Sequence, residues 1–178
     1  MPDHKSNDIK PSVGIFGDSI TKRLSTYHLS NETGTQAKSR SFPGADSQKL
    51  FRHMKVELDY QTPEIAIVHV GTNDLANRVS NSTIVNNLVN IIHLLKKSGT
   101  KYIIISGLVG RKGLKRQILE LNSELKKVCS ENKVTYIDNL RNISFSKQFM
   151  SRDRIHLNYN GLNKLLENFV GAINELFE

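Results

Sequence analysis

Four short, largely apolar runs punctuate the chain, at Val13–Phe16, Ile65–Val70, Tyr102–Ser106 and Val134–Ile137. Runs of this length without regular polar alternation suit strands buried on both faces of a parallel sheet. A weaker, more polar strand is expected over Thr35–Ser41. The segments between them are longer and repeat apolar residues at steps of three and four, which predicts helices over Ser47–Tyr60, Thr83–Ser98, Leu114–Glu131 and Asn160–Phe177. In the second of these, Ile84, Leu88, Ile91, Ile92 and Leu95 fall on one face. Alternation of strand and helix, joined by right-handed crossovers, predicts an α/β fold: a three-layer α/β/α sandwich around a flavodoxin-like five-stranded parallel sheet of order 2-1-3-4-5.

That order makes strands one and three neighbours, so the turns leaving them flank the switch point where open α/β sheets bind ligands. The first turn reads Gly17-Asp18-Ser19 and the second Gly71-Thr72-Asn73-Asp74. A third segment, Asp153-Arg154-Ile155-His156, precedes the last helix. Together they supply a hydroxyl, an amide donor, a carboxylate and an imidazole. A serine hydroxyl is a weak nucleophile until a base takes its proton, and histidine is the usual base. His156 is the candidate base, Ser19 the nucleophile, and Asp153 the carboxylate that fixes the ring and stabilises the imidazolium. The backbone N–H groups of Ser19 and Gly44 and the side-chain amide of Asn73 could converge on the oxyanion. Each motif alone is an ordinary turn or helix cap; the combined placement after strands one, two and three and before the final helix carries the reading.

Composition narrows the picture. At 178 residues the chain suits one domain, with residues 11–178 expected to form it and residues 1–10 expected to be a disordered lead-in or the cut end of a longer polypeptide. The polar start and the lack of a long apolar run predict a cytoplasmic protein without a transmembrane segment. The single cysteine, Cys129, excludes an internal disulfide and a cysteine metal cluster. Neither cofactor nor metal is expected: His28, His53 and His93 are too scattered for a ligand motif, and His69, in a central strand, reads as a hydrogen-bonded core histidine. The glycines around Gly14 and Gly17 lack the spacing of a dinucleotide loop, and the Gly-x-Ser-x-Gly elbow is absent.

The formal net charge of +8 would attract nucleic acid, anionic membrane surfaces or acidic substrates. Its densest group, Arg111, Lys112, Lys115 and Arg116, follows strand four at the catalytic end of the sheet and could receive an anionic headgroup or a phosphate-bearing polymer. The competing explanation is a solvated loop and helix face.

The blocks Gly17-Asp18-Ser19, Gly44, Gly71-Thr72-Asn73-Asp74 and Asp153 to His156 resemble those of the SGNH, or GDSL, hydrolases. The resemblance covers nearly the whole chain. It implies ester hydrolysis without a metal or organic cofactor, with Ser19 as nucleophile, Gly44 and Asn73 as oxyanion donors, His156 as base and Asp153 as its partner. A narrower likeness, carried by Ser41-Phe42-Pro43-Gly44-Ala45, Val68 to Leu75 and Gly110 to Leu114, is to esterase domains in first-open-reading-frame proteins of LINE retrotransposons. It implies a fragment of a longer RNA-associated protein that self-associates through regions outside this chain.

The sequence therefore predicts a serine esterase for short, preferably acetyl, esters, because the expected elements leave little chain for a lid or acyl tunnel. The rival is a basic module that binds RNA or anionic membranes, with hydrolysis incidental. A third reading is an interaction domain that carries these residues unused.

Overall fold

The computed structural model describes residues 9–178, so most of the lead-in expected over residues 1–10 lies outside the described residues. Five strands, β1 (Ser12–Gly17), β2 (Gln36–Ser41), β3 (Ile65–His69), β4 (Tyr102–Ser106) and β5 (Thr135–Ile137), form one parallel sheet of order β2-β1-β3-β4-β5. Among the described residues seven α-helices accompany them, α1 (Ser19–Lys22), α2 (Thr26–Thr33), α3 (Ser47–Tyr60), α4 (Thr72–Ala76), α5 (Asn81–Ser98), α6 (Lys115–Glu131) and α7 (Tyr159–Glu175), with a 3-10 turn at Asn139–Arg141. The three-layer sandwich and its strand order are those expected from the apolar pattern.

The continuous apolar runs have a direct cause. Along β3, Ala66 and Val68 face a cluster completed by α3, α5 and α6, through residues such as Leu50, Met54, Leu88 and Leu121. Ile65 and Ile67 face the opposite cluster, which α2 and α7 close with Leu29, Leu165 and Phe169. Both faces of the central strands are covered, so successive residues of either orientation must be apolar. β2 is different: it is an edge strand whose Gln36, Lys38 and Ser39 are exposed, and charge on an edge discourages further pairing.

Register sets the site. Gly17 at the end of β1 lies opposite Ser41 of β2 and His69 of β3. Residues a few positions further along each strand, Ser19, Gly44 and Gly71 to Asn73, therefore emerge side by side. Gly17 itself is packed: a Cβ there would meet the Thr21 hydroxyl and come within 2.7 Å of the His69 carbonyl oxygen. Only glycine lets β1 run that close to β3 and α1. None of the described helices is long and apolar enough to cross a membrane.

Candidate active site

Ser19 opens α1, and Asp18 caps that helix, its Oδ1 accepting from the Ile20 N–H at 2.9 Å. The first N–H groups of a helix have no intrahelical acceptor. Among the described residues the Ser19 N–H and the Gly44 N–H donate to no protein acceptor, so both remain available to an incoming oxygen. Gly44 has φ +77° and open space where a Cβ would stand. A residue without a side chain suits close approach of an acyl group, and the backbone adds that a left-handed conformation is required there, which strains any residue with a Cβ.

Asn73, in the first turn of α4, is fixed on both sides of its amide. Nδ2 donates to the Ala45 carbonyl at 3.0 Å, and Oδ1 accepts from Arg111 Nη1 at 3.0 Å. The second hydrogen on Nδ2 stays available. Asp74 holds the same two loops together from behind, its carboxylate accepting from the Ser47 N–H at 2.9 Å and from the Ser47 hydroxyl at 2.6 Å. The Gly44 and Asn73 loops are thus one braced unit.

His156 and Asp153 sit on a loop pinched at its base. Met150 and Leu157 form an antiparallel bridge, and the Ser151 N–H donates to the His156 carbonyl at 2.8 Å. Between them the chain turns tightly through Arg154 at φ +55°. Asp153 Oδ2 stands 2.7 Å from His156 Nδ1, while its Oδ1 accepts the N–H groups of Ile155 and His156 at 2.9 and 3.1 Å. The His156 side chain, followed by those two N–H groups, holds the Asp153 carboxyl far below the usual carboxylate range. Asp153 is therefore an anion aimed at one ring nitrogen, which leaves the other to face the cleft.

Ser19, Gly44, Asn73 and His156 border one cavity of about 250 Å³, together with Asp18, Ile20, Thr72, Arg111 and Ile155. Among the described residues the Ser19 hydroxyl and the His156 ring are not hydrogen-bonded to each other; such bonds commonly tighten only when substrate is engaged. The arrangement can generate a nucleophile, hold an oxyanion and return a proton to a leaving group.

Residues 15–162 match the GDSL-like Lipase/Acylhydrolase family. The chain belongs to that family. Its fold is similar to that of a GDSL-like lipase from Bacteroides thetaiotaomicron, with a TM-score of 0.81 at 16% identity over 93% of this chain and 89% of the other. The esterase EstA from Pseudoalteromonas sp. gives a TM-score of 0.80 at 12% identity, covering 94% and 98% of the two chains. Axe2, an acetylxylan esterase from Geobacillus stearothermophilus, gives 0.78 at 16% identity over 92% and 94%. At these identities the likeness is one of fold. Comparison with curated proteins finds no match.

Within this GDSL-family chain the basic group divides. Arg111 reaches the cleft through Asn73, and Lys112 and Lys115 line a neighbouring cavity, whereas Arg116 points along α6 to pair with Glu120 at 2.9 Å. The Arg111 to Asn73 bond spans 38 positions of sequence and has no local signal. It casts Arg111 as the residue that holds the amide in the donor orientation. Arg111→Met is expected to lower kcat on a neutral ester about tenfold with little change in KM, and Arg111→Lys to recover part of the loss. Equal kcat in Arg111→Met and wild type would remove that role.

His69 is buried, with Nδ1 2.8 Å from the Ser106 hydroxyl, itself held by Asn139 at 2.7 Å. This is the hydrogen-bonded core histidine expected from its place in a central strand. Burial pushes its pKa down to about 4 and pushes that of Asp18, also buried, up to about 6, in the latter case against the Ile20 N–H and the Arg111 charge. Asp18 thus contributes stability that is complete below about pH 4 and lost as pH rises through about 6. His69 acts in the opposite sense, because the unfolded chain gains its proton first as pH falls below about 6.5. The two slopes oppose each other. Asp18→Asn, which keeps an acceptor for the Ile20 N–H, is expected to melt a few degrees above wild type at pH 8 and to lose stability more steeply on acidification. Thermal unfolding midpoints from pH 4 to 8 check this; parallel curves for the two proteins would contradict it.

Proposed function

We propose that the chain is a serine esterase acting on short-chain, preferably acetyl, esters. Ser19 attacks the ester carbonyl as His156 takes its proton, with Asp153 orienting the ring and stabilising the imidazolium. The Ser19 and Gly44 N–H groups and the Asn73 amide receive the oxyanion. As the tetrahedral intermediate collapses, His156 returns the proton to the departing alcohol, leaving Ser19 acylated; water activated by His156 then releases the acid. The observation that carries this reading is the meeting of Ser19, Gly44, Asn73 and His156 around one small cavity. Its volume of about 250 Å³ lies below the range usual for drug-sized ligands, which favours a small acyl group. The name of one fold neighbour, an acetylxylan esterase, points the same way.

The reading includes residues 11–178 as one hydrolase domain. It also carries the retrotransposon setting, which rests on the residues Ser41 to Ala45, Val68 to Leu75 and Gly110 to Leu114 alone. The test is the rate of hydrolysis of p-nitrophenyl esters from acetyl to octanoyl. The expected result is a kcat/KM that is highest for acetyl and falls with chain length. A rate that climbs to octanoyl overturns the short-acyl preference, and inertness toward the whole series overturns the esterase reading in favour of the basic binding module.

A further inference from the structure

Beside the catalytic cavity lies a second one of about 190 Å³, with Arg111, Lys112, Lys115 and Arg154 on its walls. Phe145 and Met150 supply an apolar side. Four cations around one small cavity repel one another unless an anion joins them. Among the described residues none of the four is in an ion pair. Of the acids around the cavity, Glu120 faces Arg116 and Asp153 faces His156, while Asp18, buried beside the catalytic cavity, feels the Arg111 charge alone of the four.

The cavity is built rather than an accident of long side chains. The Lys112 N–H donates to the Arg154 carbonyl at 2.7 Å, tying the loop after β4 to the loop that carries Asp153 and His156. The Lys115 ammonium lies over the Phe145 ring, 5.5 Å from its centroid. Arg111 is held by Asn73. α6 opens here without a side-chain cap, so its first N–H groups add to the positive field.

Its position relates it to the chemistry. Arg111 borders both cavities. Arg154 is two residues from His156, a span of at most about 7 Å. In the proposed reaction His156 gives its proton to the departing alcohol, so a cation on the same loop lies on the alcohol side of the ester and not the acyl side.

We propose that this second cavity is a phosphate subsite, and that the substrates are esters whose alcohol part carries a phosphate group a few bonds from the ester oxygen. The proposal rests on the esterase reading for its catalytic half only. Arg111, Lys112, Lys115 and Arg154 hold the phosphate, and Phe145 and Met150 pack against the linker between phosphate and ester. A soluble phosphate ester and a phospholipid headgroup share this chemistry; the restricted size of the cavity favours the small soluble form.

The test has a binding arm and a rate arm. Phenyl phosphate is titrated into Ser19→Ala and into Ser19→Ala carrying Lys115→Ala and Arg154→Asn, followed by backbone NMR shifts. Asparagine tolerates the left-handed backbone at position 154, and both side chains are exposed, so the fold should persist. The expected result is saturable shifts centred on Gly110 to Lys115 and on Arg154, with binding weakened at least about tenfold by the paired substitutions and by added salt. Absent binding, or equal binding in both proteins, overturns the subsite. So does binding of phosphatidylserine vesicles or a single-stranded oligonucleotide without phenyl phosphate, which would make the patch a macromolecular contact. In the rate arm, 4-(hydroxymethyl)phenyl acetate is compared with its phosphate monoester. The wild type is expected to prefer the phosphate by about tenfold in kcat/KM, mainly through KM, and the paired variant to lose that ratio. A ratio unmoved by the substitutions overturns the proposal. If neither ester is cleaved, the esterase reading fails while the binding arm still decides the subsite.

Discussion

Ser19→Ala is expected to reduce ester hydrolysis at least about 10⁴-fold, with an unchanged thermal midpoint. The first half follows from the chemistry: without the hydroxyl no acyl-enzyme can form, and the oxyanion donors and His156 retain only what they can do for direct attack by water. The second half follows from the structure. Ser19 is the first residue of α1, where alanine is tolerated, and among the described residues its hydroxyl makes no hydrogen bond whose loss would cost stability. The cap of that helix is the neighbouring Asp18, which the substitution leaves intact. Rates on p-nitrophenyl acetate and a thermal melt of both proteins suffice. A variant that keeps more than a few per cent of the wild-type rate would move the nucleophile elsewhere.

His156→Ala is expected to cost a similar factor, and to differ from Ser19→Ala in one diagnostic way: added imidazole should restore part of the activity. The ring is half exposed and sits on a loop held by backbone bonds, through Met150, Leu157 and Ser151, that do not involve the imidazole. Removing it leaves an opening beside Ser19 and leaves Asp153 in place, still receiving the two backbone N–H groups at positions 155 and 156. A small base can enter that opening and meet the same carboxylate. Loss with partial rescue identifies the base; loss without rescue in a folded variant would point to a positioning role, and near-normal activity would contradict the assignment outright.

The strands most easily read in the sequence were those the fold buries on both faces. β3 and β4 have no solvent side, so nearly every residue had to be apolar. α3 matched its expected limits because Leu50, Met54 and Leu58 mark one buried stripe and Asp46 caps its start. α2 was not foreseen: it buries only Leu29, so its residues carry no helical period. α1 and α4 are too short for any period to show, yet they place Ser19 and Asn73. The start of α5 lies two residues earlier than expected, where Ser80 caps it by accepting from the Thr83 N–H.

The candidate site divides along the same line. Gly17 to Ser19, Gly71 to Asn73 and Asp153 to His156 are short motifs at strand and helix ends, which sequence displays directly. The bonds that brace them are between residues far apart: Asp74 to Ser47 across 27 positions, Arg111 to Asn73 across 38. No local pattern encodes such pairs. Arg154 was passed over for a related reason, since it lies inside the Asp153 to His156 motif and only the fold brings it to Arg111 and Lys112.

The central claim is that Ser19 is a nucleophile activated within this cleft, and covalent labelling tests it most directly. A small alkyl fluorophosphonate offers a phosphorus centre that an activated serine attacks, forming a Ser–O–P bond with loss of fluoride and leaving a tetrahedral adduct on the oxyanion donors. Peptide mass spectrometry of the treated protein is expected to show one adduct per chain, on Ser19, absent from Ser19→Ala and much slower in His156→Ala. An unlabelled Ser19 in folded protein, or an adduct on another residue that persists in Ser19→Ala, would contradict the account.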